Sequence, residues 1–257
     1  MKPLKIGPFT FSSPLFLGTG KFRSNDEMMK AVKASGTAVV TASLRRMDLE
    51  KGESLLAPLI QDETITILPN TAGARTAEEA VFYAELAAAA GMPKWIKLEL
   101  TPEPRYLLPD PIETLKATEI LVKKGFTVLP YMNADPILAL RLQDAGAATV
   151  MPLASPIGSN RGILMREMIA IIIEQARVPV VVDAGIGSPA DAAIAIQLGA
   201  DAVLVNTAIA TAGNPEKMGK AFKMTVEAAF LAREAGIPQA YSTAQASSPE
   251  LDFIDSL

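Results

Sequence analysis

The sequence predicts a single α/β domain over residues 1–257, built as a (β/α)8 (TIM) barrel with an N-terminal hairpin. Short apolar runs alternate with helix-forming segments, which is typical of parallel sheets covered by helices on both faces. The runs number eight, which is the number of strands that closes such a barrel. No linker or break in composition indicates a second domain. A doubly wound open sheet is the alternative, but it more often uses five or six strands.

The eight apolar runs follow one another at intervals of roughly 20–30 residues, as βα units do. They are Leu15–Gly20, Ala38–Leu44, Thr66–Thr71, Trp95–Leu100, Thr127–Met132, Ala148–Leu153, Val180–Gly185 and Asp201–Asn206. Before the first run, the segment Leu4–Phe11 contains Gly7-Pro8, a pair that favours a turn. This segment is therefore predicted to form the N-terminal hairpin.

Capping residues, prolines and glycines mark the predicted helices. Ser24 or Asn25 can cap the first helix, and Thr76 with Glu79 forms the pattern of a capping box. Further helices are predicted at 110–125, 135–146, 163–176, from 188 onward and at 215–235. Residues 237–257 are rich in Ser, Ala and Pro, so we expect a loose C-terminal tail.

The composition excludes several kinds of chemistry. The chain has neither cysteine nor histidine, so thiolate nucleophiles, disulfides and the commonest metal ligands are absent. Acid–base catalysis must then come from Lys, Asp, Glu, Tyr or water. The net charge of −4 disfavours a nucleic-acid partner. We recognise no signal peptide and no apolar run of membrane-spanning length, so we expect a cytoplasmic protein without membrane contacts.

The run Trp95–Leu100 carries charged residues in a predicted buried strand. Lys97 and Glu99 are two residues apart and share one face, while apolar side chains share the other. On a half-exposed antiparallel sheet this would be an ordinary salt pair. In a closed barrel the pair would point inward, where ionic groups are costly unless they have a function. Loss of hydration can lower the pKa of Lys97 and make it a nucleophile toward carbonyl groups.

Asp183 ends the seventh apolar run and adds a second carboxylate at the same end of the barrel. Active sites of such barrels lie at the carboxyl ends of the strands, so we expect Lys97, Glu99 and Asp183 to meet there. Neighbouring ionisable groups shift one another's pKa values and can supply an acid and a base without histidine. The alternative role for Asp183 is a cap of the next helix, although Ser188 is better placed for it.

Glycine-bearing loops after the sixth, seventh and eighth runs predict a phosphate site. Loops after strands seven and eight commonly bind phosphate through backbone N–H groups in this fold. These loops cover 155–162, which includes Arg161, then 183–188 and 206–210. The alternative is that the glycines only form tight turns.

Polar residues after three other runs allow two interpretations each. Arg45 and Arg46 can bind a ligand carboxylate or form a solvated basic loop. Asn70 and Asn133 can line the pocket or act as turn residues.

Taken together, the motifs of this chain resemble those of the bacterial thiazole synthases of thiamine biosynthesis. They run in order over nearly the whole chain. The matching stretches are 68–73, Lys97-Leu98-Glu99, 134–136, 150–153, 155–159, 182–187 and 203–210. Two positions depart from the family, which usually has glycine at Ala154 and commonly at Asn160. Both lie in the loop after the sixth run and put its shape in question.

The resemblance implies a reaction among 1-deoxy-D-xylulose 5-phosphate, a glycine-derived imine and a thiocarboxylated sulfur-carrier protein, giving a thiazole phosphate carboxylate. In this family the lysine at Lys97 forms an imine with the sugar ketone, and the carboxylates at Glu99 and Asp183 move protons. The implied sugar-phosphate contacts are Gly158, Ala184, Gly185, Asn206 and Thr207. No metal or organic cofactor is implied, and the family forms homo-oligomers, often tetramers. The alternatives are an aldolase-like Schiff-base lyase and a non-enzymatic phosphate-binding scaffold.

Overall fold

A computed structural model describes residues 2–43, residue 59 and residues 62–245 of the chain. Eight parallel strands form a nearly closed barrel, and a two-stranded antiparallel hairpin precedes them. The predicted (β/α)8 fold and the N-terminal hairpin are therefore confirmed. The strands are β1 (Leu4–Ile6), β2 (Phe9–Phe11), β3 (Leu15–Gly18), β4 (Val39–Ser43), β5 (Thr66–Asn70), β6 (Trp95–Leu98), β7 (Thr127–Met132), β8 (Met151–Pro152), β9 (Val181–Asp183) and β10 (Ala202–Val205).

The barrel sheet has the strand order β8-β7-β6-β5-β4-β3-β10-β9. Isolated parallel bridges, Val150 with Val180 and Leu153 with Asp183, join its two outer strands. The sequence predicted a longer sixth strand over Ala148–Leu153, but the regular ladder covers only β8. Pro152 within it has no N–H to donate, which limits regular pairing there.

Helices alternate with the strands along the described chain. They are α1 (Asn25–Ser35), α2 (Ala77–Ala89), α3 (Pro111–Lys123), α4 (Pro136–Asp144), α5 (Arg166–Gln175), α6 (Pro189–Leu198), α7 (Thr207–Ala210) and α8 (Pro215–Ala235). Ser24 caps α1, because its side chain accepts a hydrogen bond from the N–H of Glu27. Helix α5 begins three residues later than predicted, without a side-chain cap. Residues 237–245 carry no helix or strand and are exposed.

The two faces of β6 have different neighbours. Ile96 and Leu98 pack with buried residues of α2 and α3, on the outside of the barrel. Trp95 packs with inward residues of the other strands and with hairpin side chains, inside the barrel. Lys97 lies between Ile96 and Leu98 in the strand, so it points to the opposite side from them and shares the inward face with Trp95. The predicted helix-facing and inward-facing sides of the run are therefore confirmed.

Candidate active site

Lys97, Glu99 and Asp183 meet inside the barrel at the carboxyl ends of β6 and β9. Lys97 Nζ lies 2.6 Å from Asp183 Oδ2 and 3.6 Å from Glu99 Oε2. Their side chains are only 7, 12 and 4% exposed, in the order Lys97, Glu99, Asp183. The sequence predicted this meeting, and the structure brings all three together as one buried cation between two carboxylates.

Backbone contacts hold both carboxylates in place. Glu99 follows the last residue of β6, and the buried Thr71 hydroxyl braces it. Thr71 Oγ1 donates to the Glu99 carbonyl and accepts from the Glu99 N–H, both at 2.8 Å. On the other side, Asp183 Oδ1 accepts from the Ala184 N–H at 2.6 Å. Oδ2 makes its close ion pair with Lys97 but no well-aligned hydrogen bond.

The charge balance keeps the Lys97 amine protonated in the free site. Burial by itself lowers the pKa of Lys97, but Asp183 and then Glu99 favour the ammonium more strongly, so the pKa is raised. The lowered pKa expected from partial dehydration is therefore wrong for the free site. Since only the neutral amine attacks a carbonyl group, a base must take the proton when a ketone arrives.

Burial makes both Glu99 and Tyr131 harder to ionise than usual. Burial raises the pKa of Glu99, with a further contribution from Asp183, and Lys97 only partly opposes it. Tyr131 has its ring centroid 5.5 Å from Lys97 Nζ, and its hydroxyl is buried without a hydrogen-bond partner. Burial, followed by Asp183 and Glu99, raises the pKa of Tyr131, so its phenol stays neutral. Two groups that ionise less readily than usual thus lie near the Lys97 amine.

A cavity of about 290 Å³ opens over the three charged residues. It is lined by residues at the carboxyl ends of β3, β4, β5, β6, β9 and β10, and by residues of the loops that follow β3, β5, β6, β8, β9 and β10. All the sugar-phosphate contacts implied by the resemblance line it, namely Gly158, Ala184, Gly185, Asn206 and Thr207. The volume suits a small phosphorylated sugar.

The turn after β9 brings two loops of the cavity together. Ala184 and Gly185 both adopt left-handed backbone angles, with φ of 59° and 72°. A Cβ atom on Gly185 would overlap Ser155, whose hydroxyl donates to the Gly185 carbonyl at 3.3 Å. Only glycine permits this approach. The Ala184 N–H is already used by Asp183, so it is not free for a ligand in this state.

The two departures from the family pattern fit the loop after β8. Asn160 has a φ of 52°, a left-handed conformation that asparagine tolerates better than most residues after glycine. Ala154 is fully buried, and its N–H donates to the Asp183 carbonyl at 2.8 Å. The Ala154 backbone thus joins this loop to the strand that carries Asp183.

The other polar residues have separate outcomes. Asn70 lines the cavity and also forms a turn, since its Oδ1 accepts from the Ala72 N–H at 3.2 Å. Asn133 does not line the cavity, and it donates to the Pro109 carbonyl at 3.1 Å. Arg161 is exposed outside the lining. Arg45 and Arg46 lie outside the described residues.

Asp183 does not cap α6. Ser188 does so, because its Oγ accepts from the Asp191 N–H at 3.3 Å. The two site residues that the sequence reasoning missed are Thr71 and Tyr131. Tyr131 lies two residues after the inward-facing Leu129 on β7 and therefore shares its face. This spacing could have predicted that Tyr131 points into the barrel. No local sequence pattern predicted the role of Thr71, because its hydrogen bonds reach Glu99, which follows a different strand.

Among the residues that the structure describes, no group of three or more acidic side chains could hold a metal ion. No helix within these described ranges has the length and apolar character needed to cross a membrane.

Comparison with known proteins identifies the family. The family model of the thiazole biosynthesis protein ThiG matches residues 5–249. The thiazole synthase of Syntrophobacter fumaroxidans is 61% identical over 253 residues, covering 98% of this chain and 99% of the relative. The thiazole synthase of Marinomonas sp. is 55% identical over 258 residues, covering both chains fully.

Solved structures agree with this relationship. The crystal structure of the Amycolatopsis orientalis BexX/CysO complex contains a chain that superposes with a TM-score of 0.84 at 32% identity. The match covers 95% of this chain and 100% of that one. The family model and the full-length relatives together establish that this chain belongs to the ThiG family of thiazole biosynthesis proteins.

Proposed function

We propose that the chain is a thiazole synthase that joins 1-deoxy-D-xylulose 5-phosphate, a glycine-derived imine and sulfur from a thiocarboxylated carrier protein. The observation that carries the mechanism is the buried Lys97 amine between Glu99 and Asp183, at the floor of the sugar-sized cavity. The thiazole synthase activity itself agrees with the relatives that match nearly the whole chain.

In the first step Lys97 attacks the ketone carbon of the sugar phosphate. The Lys97 ammonium must first lose a proton, and Asp183 Oδ2 at 2.6 Å is the nearest acceptor. A C–N bond forms, the ketone oxygen takes up protons and leaves as water, and the imine remains on Nζ. The imine carbon then activates the adjacent C–H bond toward proton loss.

Glu99 suits the later proton transfers, in which the carbonyl group migrates along the sugar and water is lost. Its raised pKa makes it a stronger proton acceptor than an ordinary glutamate and still able to return the proton. Its backbone is braced by Thr71, so the carboxylate stays close to the imine. Tyr131, neutral and buried below the amine, supplies an aromatic face for the cationic imine.

A protein sulfur donor agrees with two observations. The chain has no cysteine, so it has no thiol of its own to carry sulfur. One solved structure that resembles this chain is a complex of two proteins, BexX and CysO. This similarity supports a second protein as the partner of this chain. We infer that the thiocarboxylate sulfur of the carrier attacks the migrated carbonyl carbon. The acyl group then moves from sulfur to the former carbonyl oxygen, so that the acyl C–S bond breaks and the carrier leaves as its carboxylate with that oxygen. The sulfur left on the sugar adds to the carbon of the glycine imine, and the imine nitrogen displaces Lys97 as the ring closes. No metal or organic cofactor is required by this scheme.

The runner-up function is an aldolase-like lyase that also uses a lysine imine. Borohydride trapping does not separate the two, since both form the adduct. Incubation with the sugar phosphate, the glycine imine and the thiocarboxylated carrier does separate them. We expect the thiazole phosphate only when all three are present, and retro-aldol cleavage of the sugar phosphate instead would contradict the proposal.

A phosphate-binding scaffold is the non-enzymatic alternative, and Lys97→Ala tests it. We expect the variant to lose the borohydride-trapped adduct in intact-protein mass spectrometry and to lose all turnover. A persistent adduct would overturn the assignment of Lys97. A homotetramer and a cytoplasmic location stay predictions, which sedimentation velocity and cell fractionation would check.

A further inference from the structure

Lys21 lies at the edge of the cavity, in the loop that follows β3. An ideal Cβ atom on Gly158 would stand 2.8 Å from Lys21 Nζ and 3.6 Å from Thr207 Oγ1. The Lys21 ammonium and the Thr207 hydroxyl therefore both lie close to Gly158. Gly158 and Thr207 line the cavity, so a positive charge lies near the part of it that the glycine-bearing loops form.

The loop that carries Lys21 is anchored on both sides. The carbonyl groups around Asn206 fix the orientation of its amide, whose nitrogen donates to the carbonyls of Gly20 at 2.8 Å and Gly18 at 3.1 Å. Thr19 Oγ1 donates to the Thr41 carbonyl at 2.9 Å. Lys21 itself has a left-handed φ of 69°. The backbone that leads into Lys21 is therefore held by β4 and by the residue that follows β10.

The described residues leave the charge on Lys21 unpaired. Its ammonium forms neither a hydrogen bond nor an ion pair with any of them. Other exposed lysines, such as Lys30, Lys116 and Lys124, each pair with a carboxylate. A sugar phosphate would bring about two negative charges to a cavity that already holds two carboxylates and one amine. The Lys21 cation at the Gly158 edge offsets that repulsion.

We propose that Lys21 binds the phosphate group of the sugar substrate over Gly158, and that Asn206 positions Lys21 through its hold on the Gly18–Gly20 loop. This inference rests on the proposed function for the identity of the substrate. An ammonium on a flexible stem suits phosphate as a point charge with three donors. A side chain at Gly158 would approach the Lys21 ammonium, and the left-handed φ of 73° at this position independently favours glycine.

The test compares two sugars that differ only in the phosphate. The concentration that half-saturates the borohydride-trapped Lys97 adduct is measured with 1-deoxy-D-xylulose 5-phosphate and with 1-deoxy-D-xylulose. For Lys21→Met we expect this concentration to rise about 10- to 100-fold for the phosphorylated sugar only. Lys21→Arg should keep most of the affinity. Lys123→Met, on an exposed residue of α3 outside the cavity, is the matched charge control.

Calorimetric titration with inorganic phosphate gives a second readout that needs no chemistry. We expect phosphate to bind the wild type and Lys123→Met, and to bind Lys21→Met far more weakly. An equal loss with both sugars, or no loss with either, would overturn the role of Lys21. If the wild type forms no adduct with either sugar, the proposed function fails, while the phosphate titration still decides whether Lys21 binds phosphate.

Discussion

The two ends of the barrel interior are built from opposite kinds of residues, although one strand supplies both. At the amino end Trp95 is fully buried and stacks with the hairpin residues Phe9 and Phe11, at ring distances of 4.4 and 5.7 Å. Its indole N–H donates to the Ile67 carbonyl at 2.9 Å. Lys97, which follows Trp95 by two residues on β6, points into the same interior and lies next to two carboxylates.

The difference shows how the fold accommodates a buried charged site. Apolar and aromatic burial at the amino end stabilises the barrel, and the hairpin covers that opening. The carboxyl end holds ionic groups whose desolvation opposes folding. Substitutions at the amino end should therefore mainly lower stability, whereas substitutions at the carboxyl end should mainly lower activity.

The largest effect is expected for Trp95→Ala at the amino end. Removing a fully buried indole leaves a cavity and an unpaired carbonyl, so the free energy of unfolding should fall by about 3–5 kcal/mol. Urea unfolding measures this change. Phe82→Ala, on an aromatic residue that is 60% exposed, is the control and should change stability little. If both substitutions lowered the free energy of unfolding by similar amounts, the stabilising role of the amino end would be contradicted.

Thr71→Val should mainly affect activity at the carboxyl end. The valine keeps the shape but removes both hydrogen bonds to the Glu99 backbone, at a cost of about 1–3 kcal/mol. We expect kcat for thiazole formation to fall about tenfold with a smaller change in KM for the sugar, because Glu99 is misplaced. Thr118→Val removes a buried hydroxyl bonded within α3 and is the control. An equal loss of kcat in that control would point to stability alone.

Glu99→Gln should lower activity and raise stability. The pKa of Glu99 is raised in the fold, so the folded state holds its proton more tightly than the unfolded chain does. The stability that protonated Glu99 contributes is complete below its unfolded pKa and is lost as pH rises through its folded pKa. Above the folded-state pKa of Glu99 the variant should therefore be more stable than the wild type, and the gap should close as the pH falls below the unfolded pKa. Urea unfolding over a pH series measures the gap, and a variant less stable than the wild type at the alkaline end would contradict this reasoning.

The smallest effect is expected on the pH dependence of imine formation in the same variant. Glu99 contributes to the raised pKa of Lys97, behind Asp183, which lies closer. Its neutralisation should lower the pKa of Lys97 and move the profile of trapped adduct against pH toward lower pH. Quantified mass spectrometry of the adduct over a pH series measures this shift. A shift to higher pH would mean that Glu99 serves as the base for this step.

Several features of the fold could be predicted from the sequence because they depend on near neighbours in the chain. The alternation along Trp95–Leu100 determined which side chains face the helices and which face the interior, since successive residues of a strand point to opposite sides. Capping residues such as Ser24 and Ser188 marked helix starts, because their bonds reach only three residues ahead.

Only the tertiary structure decided how residues of different strands act on one another. The raised pKa of Lys97 depends on the 2.6 Å approach of Asp183 from β9, and burial by itself predicts the opposite shift. The contacts of Thr71 with Glu99 and of Asn206 with the loop before Lys21 likewise join separate strands. Strand pattern is a local property of the chain, whereas these distances are set by register and by closure of the barrel.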